Sequence, residues 1–373
     1  MRENSILYTP YNIGSIQIPN RFVRSATHDY MSTNSGSITE RQLLLFEALA
    51  KGEVGLIITG HAYINTIGKA SPYQIGIYED SLINGMKQIT QVVHQYSSRI
   101  FIQVAHAGRQ TTKKICGSIP LSPSALYEPI FKVKPIEMTA KDIKSVITGF
   151  IQGAKRAKLA GFDGVQLHAA HGYLLSSFIS PYTNRRSDEW GGTISNRLRI
   201  IIEITRGIKE LLGGKFPLIV KLNSSDLLPT GLEIEESIEI AGLLEQEGID
   251  AIEVSGGMAE AGKGSVWKGL RPEEKEGYFV ENAAKIKASV SIPVFGLGGI
   301  RSIKVMEKII KDRKADFISM SRPFIREPYL VKKLRVEEID RSECISCNKC
   351  FNLRGIKCSE LEKKFNSVSS GQD

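Results

Sequence analysis

The sequence predicts an α/β protein whose chain closes into a parallel (β/α)8 TIM barrel, and three observations carry that expectation. Eight short β-rich runs recur along the chain, at 21–27, 54–60, 100–106, 164–170, 217–223, 251–257, 293–299 and 317–322. Stretches with helical apolar periodicity lie between them, among them 39–51, 80–97, 139–160, 195–212, 234–247 and 302–311. The runs are apolar nearly throughout, as in a parallel sheet covered on both faces, and turn polar or small at their C-terminal ends. Strand then helix, repeated in this way, closes a barrel whose active-site rim is formed by the strand ends and the loops that follow them.

Taken in order, the runs read RFVRSAT, VGLIITG, IFIQVAH, GVQLHAA, PLIVKLN, AIEVSGG, PVFGLGG and FISMSR. Thr39 followed by Gln42 has the form of a capping box at the first helix, and Ser302 offers a hydroxyl cap to the last. His28, Gly60, Gln103, His168, Lys221, Ser255 and Arg322 all fall near the rim. The expected domain division is a barrel over 1–330 and a charged, cysteine-containing C-terminal tail over 331–373, whose closing SSGQD is expected to be disordered.

Composition supports a folded soluble protein: 373 residues, 42% hydrophobic and 24% charged. No run of about 18 apolar residues is present to span a bilayer. The start, MRENSILYTP, lacks a basic-then-apolar leader pattern, so the expected location is cytoplasmic. The net charge of +9 could attract nucleic acid, lipid or a phosphorylated small molecule. Much of it lies from Arg301 onward, where 17 basic residues face 11 acidic ones, but without a long like-charge run. A solvated surface is therefore the simpler reading, with no nucleic-acid or membrane partner expected.

The stretch His168-Ala-Ala-His171-Gly-Tyr173 closes the fourth run. On an extended strand Gln166 and His168 share a face and His171 has the opposite parity, so the chain must turn after Ala169 for both imidazoles to meet one ligand. Two such N–H groups can converge on one substrate oxygen and polarise it. The same pair could bind a metal, though no third ligand follows at metal spacing, or could simply be packed. Tyr173 could protonate a forming carbanion or plug the barrel mouth. Gly296-Leu-Gly298-Gly299 and Ser321-Arg322 end the last two runs, where barrels of this kind often hold a phosphate, and Arg322 would add a bidentate contact. The glycines do not complete a dinucleotide fingerprint.

These residues resemble the Old Yellow Enzyme family of FMN-dependent ene-reductases. The resemblance runs from about Leu7 to Leu330 and rests on Asn20-Arg21-Phe22-Val23, on Gln103-Val-Ala-His106-Ala-Gly108-Arg109, on the His168 to Tyr173 segment, and on SSFISPYTNRRSDEWGGTISNRLR at 176–199. It implies FMN as cofactor and NADH or NADPH as reductant. It places Gln103 at the flavin pyrimidine edge, Lys221 beside N1 and C2=O, and Ser25, Ala26, Thr27 and Gly60 against the ring. Gly298, Ser321 and Arg322 would cradle the phosphate. His168 and His171 would hold the substrate's activating oxygen, Tyr173 would be the proton donor, and Tyr30 an aromatic substrate contact. His28 stands where relatives commonly carry Cys or Thr near flavin O4 and N5; it either tunes the flavin or is a packed neutral imidazole. The implied activity is NAD(P)H-dependent reduction of the activated C=C bond of α,β-unsaturated carbonyl or related small molecules. A homo-oligomer is compatible with it.

Four of the five cysteines, Cys344, Cys347, Cys350 and Cys358, crowd into the tail. Clustered thiols suggest metal or redox chemistry before disulfides. The cluster resembles the [4Fe–4S] motif that follows the barrel in 2,4-dienoyl-CoA reductase and 2-enoate reductase, with the shorter spacing C-x2-C-x2-C-x7-C. Iron–sulfur, zinc and unligated thiols are all open from the residues. Two other functional classes compete: a flavin barrel reducing a nucleic-acid base, as dihydrouridine synthases do, and a non-enzymatic thiol or metal sensor. The sensor would lose its function on truncation after Leu334, whereas a barrel ene-reductase would keep it.

Overall fold

The computed structural model describes residues 1–262, 264–270 and 273–363. Eight parallel strands form the barrel: β1 (Phe22–Arg24), β2 (Leu56–Ile58), β3 (Arg99–Ala105), β4 (Gly164–Ala169), β5 (Leu218–Asn223), β6 (Ala251–Ser255), β7 (Val294–Gly296) and β8 (Phe317–Met320). Each pairs with its sequence neighbours, and β8 pairs with β1 to close the ring. All eight runs are strands, generally shorter than expected, because the terminal residues of each run turn into the rim loops.

The helices are α1 (Glu40–Lys51), α2 (Ile83–His94), α3 (Ala140–Leu159), α4 (Ile194–Leu212), α5 (Ile234–Gln246), α6 (Val280–Lys287) and α7 (Ile303–Lys311). Gln42 accepts from the Thr39 N–H at 3.1 Å, the reciprocal half of the expected box. Ser302 does not cap α7: its hydroxyl donates to Glu276 Oε1 at 2.8 Å, so a loop carboxylate takes the group that sequence assigned to the helix. Among the described residues no helix is long and apolar enough to cross a membrane.

Two cores result. The larger lies between strands and helices, where α3, for example, buries Ile143, Val146, Phe150, Ala154 and Ala157 at helical spacing. The smaller fills the barrel's lower interior with Val23, Leu56, Ile58, Phe101, Ile219, Phe295 and Phe317, and is stoppered by Ile13 and Ile18 of an antiparallel hairpin (Tyr11–Ile13 with Ile16–Ile18). Gly164 must be glycine there, since a Cβ would sit 2.6 Å from the Phe101 ring.

Alternation along the strands changes the interior from apolar to polar toward the rim. Phe101 is followed on the inward face by Gln103, Gly164 by Gln166 and His168, Ile219 by Lys221, Ala251 by Glu253 and Ser255, and Phe317 by Ser319. Strand register then sets these polar residues side by side: Gln103 opposite Gln166, and Lys221 between His168 and Glu253.

After β8 the chain forms two short helices, Arg322–Arg326 and Leu330–Arg335, the second burying Leu330, Val331 and Leu334 in the larger core. The tail then runs back over the barrel. The Ser342 N–H donates to Arg301 O at 3.0 Å, Arg301 to Cys344 O at 3.0 Å, and the Ile356 N–H to Asp29 O at 2.8 Å. The closing SSGQD lies outside the described residues.

Candidate active site at the barrel mouth

A cleft with about 900 Å3 of empty space, its open mouth included, lies at the polar end of the barrel. Its wall brings together Ser25, Ala26, Thr27 and His28 after β1, Gln103 of β3, His168, His171 and Tyr173 at the end of β4, Lys221 of β5, and Gly298, Ser321 and Arg322 after β7 and β8. Gly60 and Tyr30 are not part of that wall. Gly60 packs behind it, where a Cβ would lie 2.8 Å from the Thr27 carbonyl oxygen, so the glycine serves the β1–β2 contact. Tyr30 packs at a 39° tilt against His28, with ring centroids 3.8 Å apart.

The expected turn after Ala169 is present. The strand ends there, His171 takes a positive φ of 64°, and the two imidazoles meet edge-on with centroids 5.3 Å apart. The His171 N–H donates to Asn223 Oδ1 at 3.1 Å, and its Nε2 lies 2.7 Å from Ser255 Oγ, which fixes the ring. Nδ1 of His168 is buried without a hydrogen-bond partner, a polar position on the wall that a bound molecule can satisfy. Burial holds both histidines well below their ordinary value; Lys221 and His61 add to this for each, and His171 for His168, so both are neutral donors. Tyr173 begins the short helix Leu174–Ile179, and its ring lies 4.7 Å from that of His168.

Beneath them a buried network centres on Glu253, which accepts from Ser25 at 2.7 Å, Ser319 at 2.6 Å and Gln166 at 2.9 Å, and lies 3.3 Å from Lys221 Nζ. Burial pushes the carboxyl up, but Lys221, the two hydroxyls and the amide outweigh it and leave it below the usual carboxylate value. Lys221 also donates to Ser25 Oγ at 2.8 Å, and Gln103 Nε2 to Gln166 Oε1 at 2.7 Å. Gln103 and Lys221 are thus aimed by neighbours rather than by their own rotamer preferences.

Toward β7 and β8, Thr27 and Ser321 share a hydroxyl contact of 2.7 Å. Arg322 Nη1 donates to Trp267 O at 2.8 Å and to Asn348 Oδ1 at 2.7 Å, and Asn348 in turn donates to Val266 O at 3.0 Å. The tail therefore joins the site, and Phe351 lines the same cleft. Cationic, amide and hydroxyl groups converging on one cleft suit a planar heteroaromatic ring with a phosphate, so the residues present fit FMN.

His61, Glu253, Gln166, Ser319 and Phe351 are site residues that sequence reading did not assign. His61 directly follows Gly60 at a strand end, and Glu253 is a charge inside an apolar strand; both were available signals. The segment 176–199, by contrast, lines none of the cleft. Its residues brace loops: Asn184 donates to the carbonyls of Phe178 and Trp190, each at 2.8 Å, and Arg186 to those of Pro123 and Met138 at 3.0 and 2.8 Å. Arg109 likewise ties Tyr127 O, at 2.9 Å, to the Glu260 carboxylate across the mouth.

Cys344, Cys347, Cys350 and Cys358 are unbridged and line one small pocket beside Arg322 and Arg326. Among the described residues no group of three or more His, Cys, Asp or Glu side chains is arranged to hold a metal ion. A tetrahedral zinc site would need the sulfurs about 3.8 Å apart. The four thiols line that pocket together with Ile325, Ile345 and Asn348.

The model of the NADH:flavin oxidoreductase / NADH oxidase family matches residues 6–340. The chain is 36% identical to an NADH oxidase of Thermoanaerobacter brockii over 97% of its own length and 56% of that protein's. It is 35% identical to an NADPH dehydrogenase of a Geobacillus species over 87% of the chain and 92% of that protein. Its fold superposes on the structure of a 2-naphthoyl-CoA reductase in complex with 2-naphthoyl-CoA with a TM-score of 0.87 and 31% identity, covering 94% of the chain and 55% of that one. The chain thus spans a little over half the length of two of these relatives.

Proposed function

Because the chain belongs to the NADH:flavin oxidoreductase / NADH oxidase family, we propose that it is an FMN-dependent NAD(P)H oxidoreductase that reduces the activated C=C bond of α,β-unsaturated carbonyl or related small molecules. The observation that carries this reading is the meeting of His168, His171 and Tyr173 in one cleft with Gln103 and Lys221. Bound FMN would supply the redox chemistry, taking hydride from NADH or NADPH and returning it from N5 to the electron-poor carbon.

The protein's own residues do the rest. The neutral imidazoles of His168 and His171 hold the substrate's activating oxygen and stabilise the negative charge that develops there. The Tyr173 phenol gives its proton to the α carbon. Lys221, held beside Glu253, would favour the anionic form of a reduced cofactor, and Gln103 offers donor and acceptor together to the pyrimidine edge. Ser25, Ala26, Thr27 and His28 cover the ring's neighbourhood, and Gly298, Ser321 and Arg322 take the phosphate. The visible spectrum of the purified protein tests this: a yellow preparation should bleach anaerobically with NADH or NADPH and recover on adding 2-cyclohexenone. A folded, colourless preparation that takes up no FMN would overturn the reading.

The tail, 331–373, packs Val331 and Leu334 into the core of the 1–330 barrel, and its Cys344, Cys347, Cys350 and Cys358 are read as ligands of an iron–sulfur cluster that would relay electrons. Two observations support this: the four cysteines share one pocket, and the match to the NADH oxidase, at 97% of the chain, extends into the tail. Iron and acid-labile sulfide measured after anaerobic purification should be present together. Zinc alone, or neither element, would remove the cluster.

A further inference from the structure

Burial of Tyr173 pushes its phenol well above the ordinary value, with Tyr30 adding a smaller effect. A proton donor in that position needs a group that stabilises the phenolate left behind. Among the described residues the hydrogen-bond partner of its oxygen is His61, whose Nε2 lies 3.5 Å away, with ring centroids 5.2 Å apart. That separation is at the outer limit of a hydrogen bond, as is common before a substrate draws catalytic contacts together.

The environment of His61 determines which ring nitrogen carries the proton. Gln74 is fully buried, and its Oε1 accepts the Ala70 N–H at 2.7 Å, which orients the amide. Its Nε2 must then point toward His61, where it donates to Nδ1 at 2.6 Å and to the His61 carbonyl at 3.1 Å. Nδ1 is therefore an acceptor, and in a neutral ring the hydrogen resides on Nε2, facing Tyr173. Burial lowers the His61 value to about 4, so the ring is neutral under ordinary conditions. No carboxylate is a hydrogen-bond partner of its nitrogens among the described residues; its ring neighbours are His28, at 4.8 Å between centroids, and His168, at 6.1 Å.

We propose that His61 is the positioning residue for Tyr173, with Gln74 holding it in the Nε2–H tautomer so that it donates to the phenolic oxygen. This assignment rests on the ene-reductase reading given above. A phenol whose oxygen accepts from His61 cannot spend its own hydrogen on that ring, so the O–H is left directed at the substrate. When the O–H bond breaks and the C–H bond forms at the α carbon, the negative charge on oxygen is met by the same Nε2–H. Water then restores the phenol proton. Gln74, which touches His61 and not the substrate, becomes part of the proton-donating apparatus through the imidazole.

Imidazole 15N NMR of the FMN-loaded protein tests the geometry without turnover. Nε2 of His61 should be protonated and Nδ1 unprotonated, and the Nε2 resonance should move in Tyr173→Phe. Protonation at Nδ1, or no response to Tyr173→Phe, overturns the proposal. Stopped-flow kinetics tests the role. In His61→Leu, flavin reduction by NADH or NADPH, whichever reduces the parent, should keep its rate while reoxidation by 2-cyclohexenone slows about tenfold to a hundredfold. His61→Gln, which returns an N–H near the Nε2 position, should recover most of that loss. Reoxidation of His61→Leu at the parent rate, or a loss that Gln does not repair, overturns the role. A parent protein that the enone cannot reoxidise would sink the ene-reductase reading instead, and the NMR signature alone would then decide the His61–Tyr173 contact.

Discussion

The Lys221 ammonium lies 3.3 Å from the Glu253 carboxylate, on adjacent strands in direct register, with Glu253 fully buried and Lys221 nearly so. Glu253 accepts from Ser25, Ser319 and Gln166 and pairs with Lys221, and an amide in its place would lose the charge and turn its N–H groups toward two of these four. Glu253→Gln should therefore cost about 3–5 kcal/mol of stability, the range for breaking a buried pair. Urea denaturation followed by far-UV circular dichroism measures this, and a change near zero would mean the network is not holding Lys221.

Tyr173→Phe removes the proposed proton donor and little packing. Reoxidation by an enone should slow by about 10²-fold or more, with flavin reduction by NADH or NADPH unchanged. Equal slowing of both half-reactions would assign Tyr173 to cofactor placement rather than proton transfer.

Five histidines, the buried His61, His106 and His168 and the half-buried His28 and His171, are held below 6.5 by desolvation, His61 to about 4 and His106 to about 3. Below pH 6.5 the unfolded chain takes up protons that the folded chain refuses. Stability is thus fully present above pH 6.5 and falls as pH drops, by up to about 1.4 kcal/mol per pH unit for each of His61 and His106, with the other three acting in the same direction. The urea midpoint should fall steeply between pH 7 and pH 5. A flat profile across that window would show that these rings accept protons in the fold.

Asn348 holds Arg322 Nη1 from the tail. Losing that contact frees Arg322 to leave the proposed phosphate position, so Asn348→Ala should weaken FMN binding about tenfold, the equivalent of one charge-assisted hydrogen bond. Titration of apoprotein with FMN, read by quenching of flavin fluorescence, gives the constant. An unchanged constant would separate the tail from the cofactor site.

Periodicity and strand-end polarity made the eight strands, six of the seven barrel helices and the cluster of Gln103, His168, His171, Tyr173 and Lys221 readable from the chain, because both are local properties of a covered parallel strand. The helix at Val280–Lys287 escaped, being only 8 residues of mixed polarity. Ser302 was misjudged because its better partner, Glu276, comes from another loop. His61 and Glu253 gain their meaning only when closure of the ring brings Gln74, Tyr173, Ser25 and Lys221 against them. The tail's seat on Arg301, Arg322 and Asp29 has the same origin. Sequence alone determined which residues can face the barrel mouth, through alternation and the polarity of strand ends. Tertiary structure decided which of them touch, because a hydrogen bond between groups dozens to hundreds of residues apart depends on register and closure, and no local pattern encodes either.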